Sequence, residues 1–218
     1  MYATVADMRA EGVTQDVASD ARVELALDEA TRTIDRLTGW FFEPRHETVR
    51  LSGRNTPTIE LPFPPLELEH VRVGGGFWMP AYDIPLTPDL FWVVGAPIRA
   101  DFDGARITLR FGYAFPLGQG NIEVIGTFGY TEPDGTPRGR TPLPIRRAAM
   151  ILALRTLPAV SDVEAREDIR RRPRIVEERT RDQAYRLSPA PLTTQLTGEP
   201  EVDDILLRYR RPLGLGAA

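Results

Sequence analysis

Apolar and polar positions change rhythm three times along the chain. Between residues 14 and 39, Val23, Leu27, Ala30, Ile34 and Leu37 recur at alternating spacings of four and three. Charged residues fill the turns between them. That spacing predicts one long amphipathic helix with a single buried stripe, opened by Thr14 and closed by Gly39. Ahead of it, Thr4 and Asp7 form a capping pair for a short helix that ends at Gly12. The rhythm then falls to two. Glu47–Leu51, Glu67–Val73, Arg106–Phe111 and Asn121–Ile125 each alternate, which predicts half-buried antiparallel strands. Phe91–Val94 is an unbroken apolar run and reads as a strand covered on both faces. Asp103-Gly104 reads as a hairpin turn. After Pro142 or Pro144 the helical pattern returns. Ile145–Leu157 is apolar over much of its circumference and predicts a deeply buried helix stopped by Pro158. Ser161 and Glu164 then open a short charged helix that ends before Pro173. Arg174–Leu187 is mixed, and Ser188–Glu199 reads as a flexible arm. Val202, Ile205, Leu206 and Tyr209 line one face of a last short helix. It is too short to be stable alone and needs a surface to dock on; no partner within the chain is obvious, which points to a surface on another chain.

Glycine and proline sharpen this division. Residues 48–141 hold 24 of the 38, against 3 in residues 1–47. Both residues are unfavourable inside helices and common in turns. The expected fold class is therefore α+β. Helices from the two flanks, 1–47 and 142–190, form a bundle; 48–141 form an inserted antiparallel β domain; 191–218 form an extended C-terminal arm with a short amphipathic helix.

Composition removes several kinds of chemistry. The 218 residues include no cysteine and no lysine, so all 27 basic residues are arginine. A thiolate metal site, a cysteine nucleophile, a Schiff-base lysine and a lysine-bearing phosphate loop are excluded. His46 and His70 cannot supply a three-histidine metal site, and no HExxH pattern occurs. Ser19, Ser52, Ser161 and Ser188 lie in no GxSxG elbow. Asp101 and Asp103 are the best carboxylate pair for acid–base work, but they fit a solvated turn better. Gly74-Gly75-Gly76 opens no helix and reads as a strand-to-strand loop. Phe77, Trp78, Tyr82, Phe91 and Trp92 could form a carbohydrate or nucleobase platform, although such clusters are more often core or interface. No catalytic, cofactor or metal site is expected. No apolar stretch is long enough to cross a membrane, and no secretory signal opens the chain, so a cytoplasmic protein is the default.

Charge is segregated. The net charge is −4 overall, but residues 1–50 carry 6 arginines against 10 acids, and residues 145–186 carry 11 arginines against 7 acids. The overall sign argues against a general nucleic-acid binder. An acidic flank and a basic flank suggest complementary faces, paired within the chain or between copies in a ring. Arg170, Arg171, Arg172 and Arg174 on one side, with Asp28 and Glu29 on the other, are the candidate intersubunit residues. If such pairs join copies, assembly should weaken as salt rises.

The order of these elements resembles the head–tail connector (adaptor) family of tailed bacteriophages and related gene-transfer particles. The resemblance rests on four stretches: Tyr2–Ala10 before the long helix; Leu37-Thr-Gly-Trp-Phe-Phe-Glu-Pro44; Leu61-Pro-Phe-Pro-Pro-Leu66 leading to Val71-Arg-Val73; and Ile125-Gly-Thr-Phe-Gly-Tyr130 followed by Pro144–Leu152. The likeness covers roughly 2–186, and Thr197–Pro212 resembles the C-terminal arm of some members. The β segment is longer than in the smallest, almost wholly helical members. The resemblance implies a structural virion protein without catalysis, assembled in the host cytoplasm. It implies a homo-oligomeric ring, commonly of twelve copies, beneath a portal protein. Such a ring joins the portal to a stopper or tail-completion protein while double-stranded DNA passes through; no cofactor and no membrane are involved. In the arm, Leu206, Arg208, Tyr209, Arg210 and Arg211 are the candidate portal contacts, and removal of 199–218 is expected to leave a folded protein. The alternative reading is a carbohydrate- or ligand-binding β module of a virion or surface protein.

Overall fold

The structure is a computed structural model. It describes residues 1–74, 81–84, 91–94, 105–158, 175–179, 184–187 and 196–210; of 91–94, 175–179 and 184–187 it describes the backbone. The fold is α+β and divides into two compact units, Met1–Gly39 with Leu143–Ala218, and Trp40–Pro142.

The first unit is built on helices α1 (Val5–Ala10), α2 (Asp20–Thr38), α3 (Leu143–Thr156) and α4 (Pro200–Tyr209). Thr4 caps α1 in a reciprocal box. Its hydroxyl accepts from the Asp7 N–H, and the Asp7 carboxylate accepts from the Thr4 N–H at 2.8 Å. The start of α2 differs from the expectation. Thr14 accepts from Val17 and Ala18 in a separate turn, and the helix begins only after Ser19. Gly39 ends it with φ +74°, a left-handed conformation that a side chain would strain.

The predicted stripe of α2 is buried at Val23, Leu27, Ala30 and Ile34, joined by Ala26, Thr31 and Thr38. It packs on α3 and α4. Only one side of α3 is buried, through Ile145, Ala148, Ala149, Leu152 and Ala153. Leu143 and Leu154 on its other side are 50% and 42% exposed, so the helix is less deeply enclosed than its apolar composition suggests.

The last helix settles the question of its docking surface. Val202 and Leu206 are fully buried, and α4 packs against α2 and α3 of its own chain. A ten-residue helix cannot hold itself together in water, and here tertiary packing supplies what length does not. Removing 199–218 would uncover the bundle core, contrary to the picture of a separable arm. Arg174–Leu187, left open by the sequence, is extended in part: β8 (Ile175–Arg179) pairs antiparallel with β9 (Ala184–Leu187).

The second unit holds two antiparallel sheets. One has the order β1-β7-β3-β4, from β1 (Arg45–Gly53), β3 (Pro65–Val73), β4 (Tyr82–Ile84) and β7 (Gly118–Phe128). The other has the order β2-β6-β5, from β2 (Thr58–Glu60), β5 (Phe91–Val94) and β6 (Arg106–Leu109). Both sheets contribute to one core. Val49, Val71, Ile122, Val124 and Phe128 come from the first, Ile59, Ile107 and Leu109 from the second. Phe41, Leu61, Ala105 and Phe115 fill in from the connections.

Residue 47 falls inside β1, so a domain boundary there would cut a strand; the β unit begins at Trp40. Trp40 and Phe42 flank Tyr130, with ring centroids 6.4 and 5.5 Å away. β3 carries a bulge between Leu68 and His70, opposite Gly126 and Ile125. At Gly126 a Cβ would lie 2.2 Å from the Glu67 carbonyl oxygen, which only glycine tolerates.

Candidate functional site

The ionisable groups that hold chemistry in enzymes are dispersed. Among the described residues no three His, Cys, Asp or Glu side chains gather as metal ligands would. His46 and His70 sit on the exposed side of β1 and β3, and His46 Nε2 lies 3.1 Å from Glu69 Oε2. Ser52 on β1 accepts a hydrogen bond from the Gly120 N–H of the paired strand β7 at 3.0 Å, and Ser19 precedes α2 without a side-chain cap bond. Gly74 donates to the Asn121 carbonyl at the end of β3. Asp101, Asp103, Gly75, Gly76, Phe77, Trp78, Ser161 and Ser188 lie outside the described residues, as does the Asp103-Gly104 turn. Of the remaining aromatic candidates, Tyr82 is 41% exposed, and Phe91 and Trp92 belong to the backbone-only strand β5.

The charge segregation has a concrete outcome in the helical unit. Arg146 Nε donates to Asp7 at 3.2 Å, and a second nitrogen also reaches that carboxylate. Arg147 pairs with Glu201 at 2.5 Å, and Arg155 donates to the Thr197 carbonyl at 3.0 Å with Glu199 4.0 Å away. Arg146 pairs with Asp7 of the acidic flank within the chain, whereas Arg147 and Arg155 meet residues 197–201 instead. They fasten α1 and the entry to α4 onto α3. Burial alone would raise the Asp7 pKa, but hydrogen bonds from Thr4 and Arg146 and the Arg146 charge hold it below 3.8. Glu201 raises the Arg147 pKa further above its ordinary value through its hydrogen bond and charge.

A fourth arginine was invisible in the pattern. Arg22 is half-buried on α2 and turns its guanidinium to the C-terminal end of α3. Nε donates to the Leu157 carbonyl at 3.1 Å, and Nη2 donates to the Pro158 carbonyl at 3.1 Å and to that of Thr156. Helix ends leave such carbonyls without partners, and Pro158 prevents continuation. A planar cation at the negative end of the helix satisfies both the hydrogen bonds and the dipole.

The named interaction candidates separate. Leu206 is 0% exposed and faces its own bundle, so it is withdrawn from any surface contact. On the same helix Arg208 is exposed and pairs with Asp204 at 2.5 Å; Arg210 is exposed and Tyr209 half-buried. Asp28 is half-buried and pairs one turn along α2 with Arg32 at 2.9 Å, while Glu29 is exposed. Arg170, Arg171, Arg172, Arg174 and Arg211 lie outside the described residues.

One surface feature escaped the sequence reading. The link from β6 to β7 turns at Arg110–Tyr113, where the Tyr113 N–H donates to the Arg110 carbonyl at 3.3 Å. Phe111 and Gly112 both have positive φ, +57° and +76°. Phe111, Tyr113 and Leu117 are 77%, 61% and 79% exposed. The alternation of Arg106–Phe111 predicts a strand through Phe111, whereas β6 ends at Leu109. The signals that mark the turn in the sequence are Gly112 and Pro116.

These residues define a protein of surfaces, ion pairs and an apolar tip. Comparison with solved structures places that fold. The chain is similar to one chain of a structure described as the neck of an empty GTA (gene transfer agent) particle computed with C6 symmetry. The match has a TM-score of 0.55 at 17% identity, and covers 98% of this chain and 92% of that one. No protein-family model matches, and no curated protein matches. Among the described residues no helix is long and apolar enough to cross a membrane.

Proposed function

We propose that this chain is a structural neck protein of a phage-like particle, a head–tail adaptor. In this reading it forms a homo-oligomeric ring, commonly of twelve copies, beneath a portal. It joins the portal to a stopper or tail-completion protein and lets double-stranded DNA pass. It performs no catalysis. The observation that supports the reading most is the likeness in fold to a particle-neck chain over nearly the full length of both. A net charge of −4 suits a channel that must not hold DNA.

The portal contacts in this proposal are the exposed Arg208 on α4 and Arg210 just past its end, with Tyr209 between them and Arg211 following. Arg170, Arg171, Arg172 and Arg174 remain candidates for contacts between copies, facing Asp28 and Glu29. Electron microscopy of the purified protein mixed with the portal of the same particle should show a ring on the portal. Replacing Arg208 and Arg210 together with Glu should abolish that complex while leaving the fold intact. Undiminished binding by this variant would remove the arginines from the contact, and no ring with either protein would refute the adaptor role.

A further inference from the structure

Helix α3 is apolar on two sides, and the bundle core uses only one of them. On the other side Leu143, Arg147, Met150 and Leu154 recur at spacings of four, three and four, which makes a single stripe along the helix. Leu143, Arg147 and Leu154 are exposed, and Met150 with the adjoining Ile151 is half-buried. One exposed leucine is ordinary on a protein surface, whereas an apolar row along one helix face marks a contact. The helix carries Arg146, Arg147 and Arg155 and no acid, so any charge on this face is positive.

Helix α2 offers a complementary face. At about 100° per residue, Leu25 stands opposite the buried stripe of Val23, Leu27, Ala30 and Ile34. It is 63% exposed, and Glu24 and Glu29 are exposed beside it. Among the described residues neither glutamate has an ion-pair partner. Arg32 and Arg36 lie further toward the C-terminal end, with Arg32 paired to Asp28. The two helices pack on each other through their buried sides, so their outer faces turn away from one another.

We infer that the outer face of α3 docks on the outer face of α2 in a second copy of this chain. The inference rests on the neck reading above and names the surface that joins its copies. The α3 row covers Leu25, and Arg147, whose side chain stays 65% exposed beside Glu201, faces the acids that flank Leu25. Pairing of like faces satisfies less. Two α3 faces would set Arg147 near its own copy and leave Leu25 uncovered; two α2 faces would leave the α3 row uncovered. Only unlike faces cover both. Each copy carries both, so the contact runs head-to-tail and repeats from copy to copy, the arrangement that generates a ring when the rotation closes.

The chain has no cysteine, so introduced thiols report its contacts without background from its own sequence. Two variants carry Leu25→Cys together with either Leu143→Cys or Leu154→Cys, at the two ends of the row. Each is expressed with an epitope tag in a particle-producing strain that lacks the original gene. Purified particles are treated with a short bis-maleimide and blotted for the tag. At least one variant should give a ladder at multiples of the chain mass. The single variants should give no cross-linked band, and particles that mix Leu25→Cys chains with chains of the matching α3 single variant should stop at the dimer. All three leucines are exposed, so melting temperatures should stay within about 2 °C of the wild-type value. Absence of a ladder from both variants, in particles that contain the protein, overturns the interface and leaves the neck reading standing. A dimer from any single variant joins like faces and overturns it, as does a band with another particle protein or a lowered melting temperature. If purified particles do not contain the protein, the neck reading fails and the interface falls with it.

Discussion

Arg22 carries a prediction that can be worked from the coordinates. Replacing it with alanine leaves the carbonyls of Thr156, Leu157 and Pro158 without their three donors. Hydrogen bonds to a charged group contribute about 1.5–3 kcal/mol each when a partner is lost from a buried setting. Arg22 is half-buried, so water replaces part of that. The loss of the cation at the helix end adds about 0.3–1 kcal/mol. The expected total is about 2–4 kcal/mol. Arg22→Lys should recover only the dipole share, because a single ammonium cannot bridge three carbonyls in a planar fork.

Urea unfolding followed by far-UV circular dichroism measures this. Trp40, Trp78 and Trp92 all belong to the Trp40–Pro142 unit, so tryptophan fluorescence reports that unit alone. With a slope of about 1–3 kcal/mol per molar urea, the helical midpoint should fall by about 1 M or more. A loss below about 0.5 kcal/mol in the alanine variant, or full recovery by lysine, would refute the capping argument.

Four further substitutions probe the rest of the framework. Asp7→Asn should cost about 1–2 kcal/mol at pH 7, since it removes the carboxylate partner of Thr4 and Arg146. The folded pKa of Asp7 is depressed, so its stabilisation is complete above the ordinary value of 3.8 and lost as pH falls through the lower folded value. The two proteins should thus converge as pH falls through the folded value, and a gap unchanged all along the acid limb would exclude ionisation as the cause. Leu206→Ala should cost about 2–5 kcal/mol, whereas Leu207→Ala, at a residue 55% exposed, should be nearly neutral by thermal melting. Gly126→Ala should destabilise the β unit by about 1–3 kcal/mol, seen in tryptophan fluorescence, because its Cβ would meet backbone rather than a movable side chain.

Periodicity made the elements legible where one face of each is buried and the other wet. Val23, Leu27, Ala30 and Ile34 show the helix face directly, and the alternation of Glu67–Val73 matches the burial of Val71 and Val73 against exposed Arg72. Boundaries were less readable, because they depend on contacts. Thr14 has the chemistry of a cap, yet its carbonyl closes a turn of its own and the helix starts six residues later. Hydrophobic pattern also cannot name the partner of a buried face. The stripe Val202, Ile205, Leu206 and Tyr209 looks the same whether its groove lies in the same chain or another. The turn at Phe111 was hidden for the opposite reason. Phe111 continues the alternation of β6, and nothing in spacing shows that the backbone turns before it.

The arginines gain meaning from geometry rather than from their number. A lysine-free chain can be read as a bias in coding, and that would account for residue type alone. Arg22 and Arg146 use more than one guanidinium nitrogen, a task for a fork and not for a point charge. Together with Arg155 they join segments distant in sequence: α1 to α3, α2 to the end of α3, and the entry of α4 to α3. The short helices α1 and α4 are too small to persist unaided, so these pairs fix elements that the apolar core only partly holds. Three of the eleven arginines of residues 145–186, Arg146, Arg147 and Arg155, have partners inside the subunit. Charge that is satisfied internally is a weak guide to partners.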